Sequence, residues 1–557
     1  MTPNGGKPKY LLPLAIIALG LILRLWGLSS SDLQGDAAIN SFRALGWYDY
    51  LLSDIGQSSP LSWFGYFPWW SYLSFHDHPP LVFALQHVFF RFFGSASVVA
   101  LTPHLLAYLG TAYLLYKGLR RLRNQRAALL TLLVFSISSY SIWATRTGYL
   151  EGVAMFFVTL AFIALCDFFE KRRPVHLYTW AAAVGFGLLS KYTTIFAPAA
   201  GVVSLVLWNR SVFRSKHWWA SAALILAMLT PVIIYNVMMF STRGHFDASL
   251  SAMAGMHPED FSAITGRSST LSLSNILSVW SVLAAGISVP LFVLALASLF
   301  FLLKKLVTRS ADTVTRVLLI TLATGIVLFS FAGASERFLT ILTPFIAITV
   351  ACALDSVFLN LQSAQRRKLL AYGFGLIMAF ELFYAVNTNI LPIPAGSSPW
   401  LFSSQRFYNR GFQQLDEFLR SDVLPELPAG TDRTKYGQPD FQSAPTVIVD
   451  DRADWFSLMW YFRRYLYYSI PVITVTDLYK ISAQSDTNAL EYLYKRGARQ
   501  FWFVHILPAG VRRNAEESYT SRVELFDKQL KDAGVKPQNF TDYKGTPVFE
   551  VYRFEYQ

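Results

Sequence analysis

Long apolar runs alternate with short polar, often basic, stretches over the first 390 residues, and the pattern then changes. Runs near 10–28, 96–119, 126–143, 149–169, 176–190, 192–208, 218–240, 273–303, 315–332, 338–359 and 369–388 are each long enough to approach or exceed the roughly 17–25 residues that cross a bilayer. This predicts eleven transmembrane helices. The first run is followed by a large polar loop and not by a small-residue cleavage site, so it reads as a retained span. Past Asn389, a Pro- and Gly-marked linker leads into alternating helical and strand patterns. Strands are predicted at 445–450, 470–475, 500–505 and 547–554, and helices at 407–421, 452–468, 486–496 and 515–533. The expected architecture is an α-helical polytopic membrane protein with a C-terminal extracytoplasmic α/β domain, its sheet largely parallel. The expected division is a membrane domain over 1–390, including an outer loop at 29–95, and an accessory domain over 391–557.

The basic residues orient this arrangement. Lys7 and Lys9 precede the first run; Arg120, Arg121, Arg123 and Arg126 follow the second; Lys171, Arg172 and Arg173 follow the fourth. Arg210, Arg214 and Lys216, then Lys304, Lys305 and Arg309, then Arg366, Arg367 and Lys368 follow the sixth, eighth and tenth. With eleven spans all of these fall on one side, which the positive-inside rule makes the cytoplasm. The expected location is the plasma membrane, multi-pass, with a cytoplasmic N-terminus and with the 29–95 loop and the C-terminal domain outside.

Composition agrees with this reading: 53% of the 557 residues are hydrophobic and 15% charged, against roughly 25% charged in soluble domains. The net charge of +13 comes wholly from residues 1–390, because 391–557 hold 20 basic and 20 acidic residues. The positive charge therefore marks cytoplasmic loops and implies no nucleic-acid partner. The two cysteines lie in apolar runs, so the outward segment has no disulfide framework. It also lacks a Gly-rich phosphate loop, and Asp450-Asp451 at a strand end reads as a helix cap or as a catalytic pair.

Ionisable groups near membrane depth are costly and mark candidate chemistry. Asp36, just beyond the first run, reads as a general base or metal ligand, or as the N-cap of a helix beginning near Ala37. His76-Asp77-His78 reads as a divalent-cation site completed by His245 or His257, or as a helix-opening turn before Pro79-Pro80. Arg146 and Glu151 fill a tight outer turn, where the arginine either serves a substrate or snorkels and pairs with Glu151. Lys191 interrupts an apolar run, as a phosphate ligand or as a buried partner of a carboxylate such as Glu151. Arg267 lies in an outer loop, and Glu336-Arg337 opens the tenth run. Cations of this kind suit a phosphodiester at a membrane surface.

These residues carry a resemblance. RLWGL (24–28), LQGDAAI (33–39), HDHPPL (76–81), ATRTGYLEG (144–152), GLLSKYT (187–193) and SERFLTILTP (335–344) are similar, in order and placement, to motifs of the GT-C fold glycosyltransferases. The nearest group is that of the protein O-mannosyltransferases and lipid A aminoarabinose transferases. The resemblance covers roughly residues 10–390. It implies inverting transfer of a sugar from a polyprenyl-phosphate donor to a lipid, glycan or protein acceptor on the outer face. It further implies Asp36 and Glu151 as catalytic carboxylates, and His78, Arg146, Lys191, Arg267 and Arg337 around the lipid phosphate or substrate. His76, Asp77 and His257 are candidate ligands for a divalent cation. Where such proteins often carry Asp-Glu, this chain has Asp36-Ala37, and Glu151 fills a position often occupied by Asp. Rival readings are a lipid or sugar transporter or flippase, a polysaccharide polymerase or ligase, and a noncatalytic subunit with a transferase fold. No internal repeat of the transporter kind is evident.

Overall fold

A computed structural model describes residues 10–46, 63–66, 78–256, 272–391, 406, 408–424, 441–442, 444–484, 489–510 and 517–555; the candidate residues His76, Asp77, His257 and Arg267 lie outside these. The chain forms two compact units, one of residues 1–26, 49–82 and 101–407 and the other of 27–48, 83–100 and 408–557. Segments 27–48 and 83–100 thus group with the C-terminal residues and not with the apolar helices that flank them in sequence.

The first unit is helical. Seven helices among the described residues are long and apolar enough to cross a membrane, and an eighth span arises if one bent pair is counted as one. The seven are Ser97–Leu122, Leu150–Lys171, Lys216–Arg243, Val289–Val307, Thr313–Ala332, Glu336–Asn360 and Ala364–Asn389. Shorter apolar helices are Leu11–Leu25, Tyr192–Trp208 and Leu273–Gly286 here, and Leu81–Phe93, most of which groups with the second unit. The core is aromatic-rich: Phe345 packs edge-on against Phe162 and Phe196, with ring centroids 5.5 and 6.1 Å apart.

Two of the predicted spans are broken. The run at 126–143 is a pair of helices, Gln125–Ile137 and Ser139–Arg146, bent by 59°. The run at 273–303 is split into Leu273–Gly286 and Val289–Val307. Ser138 and Ser288 leave helical geometry at the breaks, with ψ of 130° and 148°. Each break frees backbone N–H groups at the start of the following helix, and inside a membrane these need an internal partner. Glu381 is that partner for both. Its Oε1 accepts from the Ser139 amide and its Oε2 from the Ser288 amide, each at 2.8 Å, and it is wholly buried. Arg406 closes the same region by donating to Ser139 Oγ at 3.1 Å, Gly286 O at 2.9 Å and Ala285 O at 3.1 Å.

The second unit contains a five-stranded sheet: β1 (Thr446–Val449), β2 (Val472–Thr474), β3 (Gln500–Ile506), β4 (Gln538–Thr541) and β5 (Pro547–Glu555). Its order is β2-β1-β3-β5-β4. The β1 pairings are parallel, but β5 runs antiparallel to both β3 and β4, so the sheet is mixed and not largely parallel as expected. β4 was not predicted, because QNFT is a short polar strand with one inward-leaning aromatic and no alternation to read. The helix Val475–Gln484 was also not predicted; it follows β2 without a break. The core of the sheet is aromatic, with Phe503 stacked at 5.9 Å on Tyr552 and edge-on at 4.9 Å to Phe526.

The segment after the first apolar helix is tied into this unit. Asp32 is buried, and its carboxylate accepts from the backbone amides of Arg410 (2.5 Å) and Gln413 (2.8 Å), at the start of the helix Phe412–Phe418. The Leu33 amide donates to Tyr461 Oη at 2.6 Å. A buried Arg464–Asp416 ion pair, joined by Tyr465 Oη at 2.5 Å from Asp416, sits among the same elements.

Candidate functional site

The candidate residues fall into two groups, one in each unit. Asp36 belongs to the second unit. It lies in the first turn of the helix Gly35–Gly46, one residue inside the helix that was expected to begin near Ala37. Gly35 has φ +52°, a left-handed conformation that glycine adopts at no steric cost and that turns the chain into the helix. Ala37 and Ala38 are fully buried beside it, while Asp36 is half-buried. The first turn favours an anionic carboxylate, because unsatisfied N–H groups concentrate positive charge there. Further along the helix, Phe42 packs at 5.5 Å against Tyr467.

In the first unit, the helix Pro174–Ser190 stops at Lys191, whose ψ of 133° is extended, and a short 3₁₀ turn at Tyr192–Ile195 restarts the chain. That break delivers Lys191 to Glu151, in the first turn of Leu150–Lys171. The two form an ion pair with side chains 5% and 2% exposed. Gly152 allows this helix its close approach: a Cβ there would lie 2.5 Å from the carbonyl oxygen of Ala144. Lys191 Nζ also sits 4.4 Å from the centre of the Phe338 ring. Arg337, next in sequence to that phenylalanine, lies over Phe338 at 5.1 Å and Tyr149 at 5.9 Å. Glu151, Lys191 and Arg337, more than 180 residues apart at the extremes, therefore share one aromatic surround.

Arg146 is placed differently. Its Nη1 donates to the carbonyls of Arg24 (3.0 Å) and Trp26 (2.6 Å), and so caps the C-terminus of the helix Leu11–Leu25. The pairing with Glu151 that its position suggested is made by Lys191 instead. His78 Nδ1 contacts Ser249 Oγ at 3.3 Å. Close by in sequence, the buried Asp247 accepts from Tyr192 Oη (2.8 Å) and Asn236 Nδ2 (2.9 Å), which anchors the residue following Lys191. Asp450 does not cap the next helix. Its carboxylate holds the Arg452 guanidinium and the Ile506 amide (2.8 Å), while Asp454 caps the next helix. Asp451 accepts from the Thr476 amide at 2.8 Å.

Sequence reasoning missed Glu381, Asp247 and Arg406. For Glu381 the signal was present: a lone carboxylate inside an apolar run at 369–388. Asp247 and Arg406 sit in stretches with no pattern to mark them.

With helices, breaks and charges in place, the chain has the GT-C fold of polytopic membrane glycosyltransferases. Residues 77–235 match the dolichyl-phosphate-mannose-protein mannosyltransferase family. Two putative mannosyltransferases of Bacillus subtilis (strain 168) are similar over part of the chain. YycA is 26% identical over 154 residues, 28% of this chain and 22% of its own length. YkcB is 24% identical over 166 residues, 29% of this chain and 23% of its own. The matched stretches thus span under a quarter of these relatives. Among solved structures, ArnT from Cupriavidus metallidurans bound to undecaprenyl phosphate superposes with a TM-score of 0.55 at 13% identity, over 98% of both chains. The apo oligosaccharyltransferase of Archaeoglobus fulgidus superposes at 0.50 with 11% identity, over 97% of this chain and 74% of that one. At such identities the likeness is one of fold.

Proposed function

We propose that this protein is an inverting glycosyltransferase that moves a sugar from a polyprenyl-phosphate donor to an acceptor on the outer face of the plasma membrane. The observation that carries the reading is the Glu151–Lys191 pair beside Arg337. Burying two charges costs several kcal/mol each unless they are paired and hydrogen-bonded, and a fold that only spanned a bilayer has no need of them. The pair lies within the segment that matches the mannosyltransferase family, and ArnT, similar in fold, was solved with undecaprenyl phosphate.

Each residue then has a chemical task. Asp36 takes the proton from an acceptor hydroxyl as its oxygen attacks the anomeric carbon. The bond from that carbon to the phosphate oxygen breaks, and the lipid phosphate leaves with the electron pair. Arg337 stabilises that phosphate, because its fixed fork of donors matches phosphate oxygens. Lys191, held by Glu151, supplies a second positive centre. Arg146 contributes by fixing the end of the first helix. His78 and Arg267 are further substrate-binding candidates, and a divalent cation at His76, Asp77 and His257 is a separate proposal that chelation tests.

The experiment is transfer in vitro from a panel of polyprenyl-phosphate sugars, with the product identified by mass. Asp36→Asn is the companion variant. Asparagine is nearly isosteric but takes no proton, so turnover falls by roughly 10²–10⁴-fold while donor binding persists. Near-normal turnover in Asp36→Asn would remove the base assignment, and no product from any donor would remove the transferase reading.

A further inference from the structure

In the second unit, strands β3 and β5 pair so that His505 stands directly opposite Glu550 on one face of the sheet. The helix Glu517–Asp532 adds Asp527. One imidazole nitrogen of His505 and one carboxylate oxygen from each of Asp527 and Glu550 lie within 4.8 Å of one another. We propose that these three residues form a binding site for a divalent transition-metal ion, zinc above all.

The histidine is preorganised for this role. It is 95% buried, and its Nδ1 edge faces Asp450 Oδ2 at 3.6 Å and Arg452 Nη2 at 3.4 Å. Arg452 Nη2 donates to Asp450 Oδ2 at 2.8 Å and to Ile506 O at 2.7 Å, and shares a longer contact with His505 Nδ1. An ion bound at Nε2 puts the ring proton on Nδ1, where the Asp450 carboxylate faces it. Among the described residues Nε2 makes no hydrogen bond. A carboxylate behind the far nitrogen of a histidine is the usual support for a metal-binding imidazole, because it fixes the tautomer and raises ligand basicity.

The carboxylates already hold a cation. Lys531 Nζ bridges Asp527 Oδ2 at 2.9 Å and Glu550 Oε2 at 3.2 Å, and its side chain is 47% exposed. Tyr552 Oη lies between the same two carboxylates, 2.6 Å from Asp527 Oδ1 and 2.7 Å from Glu550 Oε2, and donates its one proton to one of them. The ammonium marks where positive charge is wanted, and its exposure lets it swing into solvent when an ion enters. Tetrahedral ligands about 2.1 Å from zinc stand about 3.4 Å apart, so the three side chains draw in by about 1 Å. Two of them, Asp527 on the helix and Glu550 on β5, are only partly buried and free to do so. One imidazole with two carboxylates leaves a fourth position for water, and imidazole favours zinc over magnesium or calcium. The location agrees: Asp450 and His505 lie at the C-terminal ends of the parallel strands β1 and β3, where open α/β sheets bind ligands.

The test is equilibrium dialysis of the full chain in detergent, stripped with chelator and titrated with Zn²⁺, with bound zinc counted by elemental analysis. His505→Ala and Glu550→Gln are expected each to remove one equivalent, weakening that site at least about 100-fold. Lys531→Ala removes a competing, half-exposed cation and is expected to tighten it about three- to tenfold. Being on the surface, Lys531→Ala keeps the test independent of folding defects in the other two. The proposal falls if zinc stoichiometry is the same in His505→Ala and Glu550→Gln as in the wild type. It falls equally if Lys531→Ala binds no zinc.

Discussion

Replacing Glu381 by alanine removes the one carboxylate that caps two broken spans. Both of its oxygens accept a backbone amide, from Ser139 and from Ser288, each at 2.8 Å, at a site with no solvent exposure. A buried donor left without a partner costs about 1–3 kcal/mol, so the two orphaned amides together cost about 2–6 kcal/mol. Glutamine separates this account from a simple loss of bulk. Its carbonyl oxygen replaces one acceptor, but its NH₂ then points a donor at the other amide. Glu381→Gln is therefore expected to lose about 1–3 kcal/mol, and Glu381→Ala more. Thermal unfolding of the detergent-solubilised protein measures the order, with a thiol-reactive dye reporting exposure of the buried Cys166 and Cys352. Hydrogen exchange measures the cause: the amides of Ser139 and Ser288 should lose protection first. If Glu381→Ala melts with the wild type and both amides stay protected, Glu381 is not what holds the breaks.

Lys191→Ala is expected to destabilise the fold by about 3–5 kcal/mol, because it strands Glu151 as a buried charge; the double variant Lys191→Met/Glu151→Gln should recover most of that loss without recovering donor binding. Arg337→Ala should weaken donor binding roughly ten- to a hundredfold with little change in melting, since a charge-assisted phosphate contact is worth about 1.5–3 kcal/mol; unchanged affinity for the lipid phosphate would exclude it. Burial outweighs the backbone amides around Asp32 and pushes its carboxyl up to about 7 from an ordinary 3.8. The folded state then holds a proton that the unfolded chain releases, so this stabilisation is full below pH 3.8 and is lost as pH rises through 7. Asp32→Asn should gain relative to the wild type in melting temperature between pH 5 and 8, and a difference that does not move with pH would refute the shift.

How much of this was legible beforehand depends on the range of the interaction. Apolar runs, basic clusters and turn residues act over one to twenty positions, and they mark the helices and the change of character after Asn389 without any tertiary information. Lys191 was visible for the same reason, since a charge inside an apolar run is a local anomaly, and Arg337 because it stands at the opening of one. That Lys191 was a candidate partner of Glu151 followed from cost alone: a buried lysine needs a carboxylate, and few were at hand. The division of labour between Lys191 and Arg146 was not legible. Both were within reach of Glu151 in sequence, and only the path of the helices decided that Arg146 caps Leu11–Leu25 while Lys191 makes the pair.

The broken spans show the same limit from the other side. Ser138 and Ser288 are unremarkable residues in apolar runs, and hydropathy integrates over a window that smooths a one-residue break away. What makes each break tolerable is Glu381, nearly a hundred residues from one and more than two hundred from the other. Hydrophobic patterning determined that the chain would enter a membrane and form helices there, because burial of apolar side chains is set by composition along a segment. Which polar groups meet, and so which charges are structural and which remain for chemistry, was decided by the tertiary structure, because a hydrogen bond needs two partners and the sequence records only one at a time.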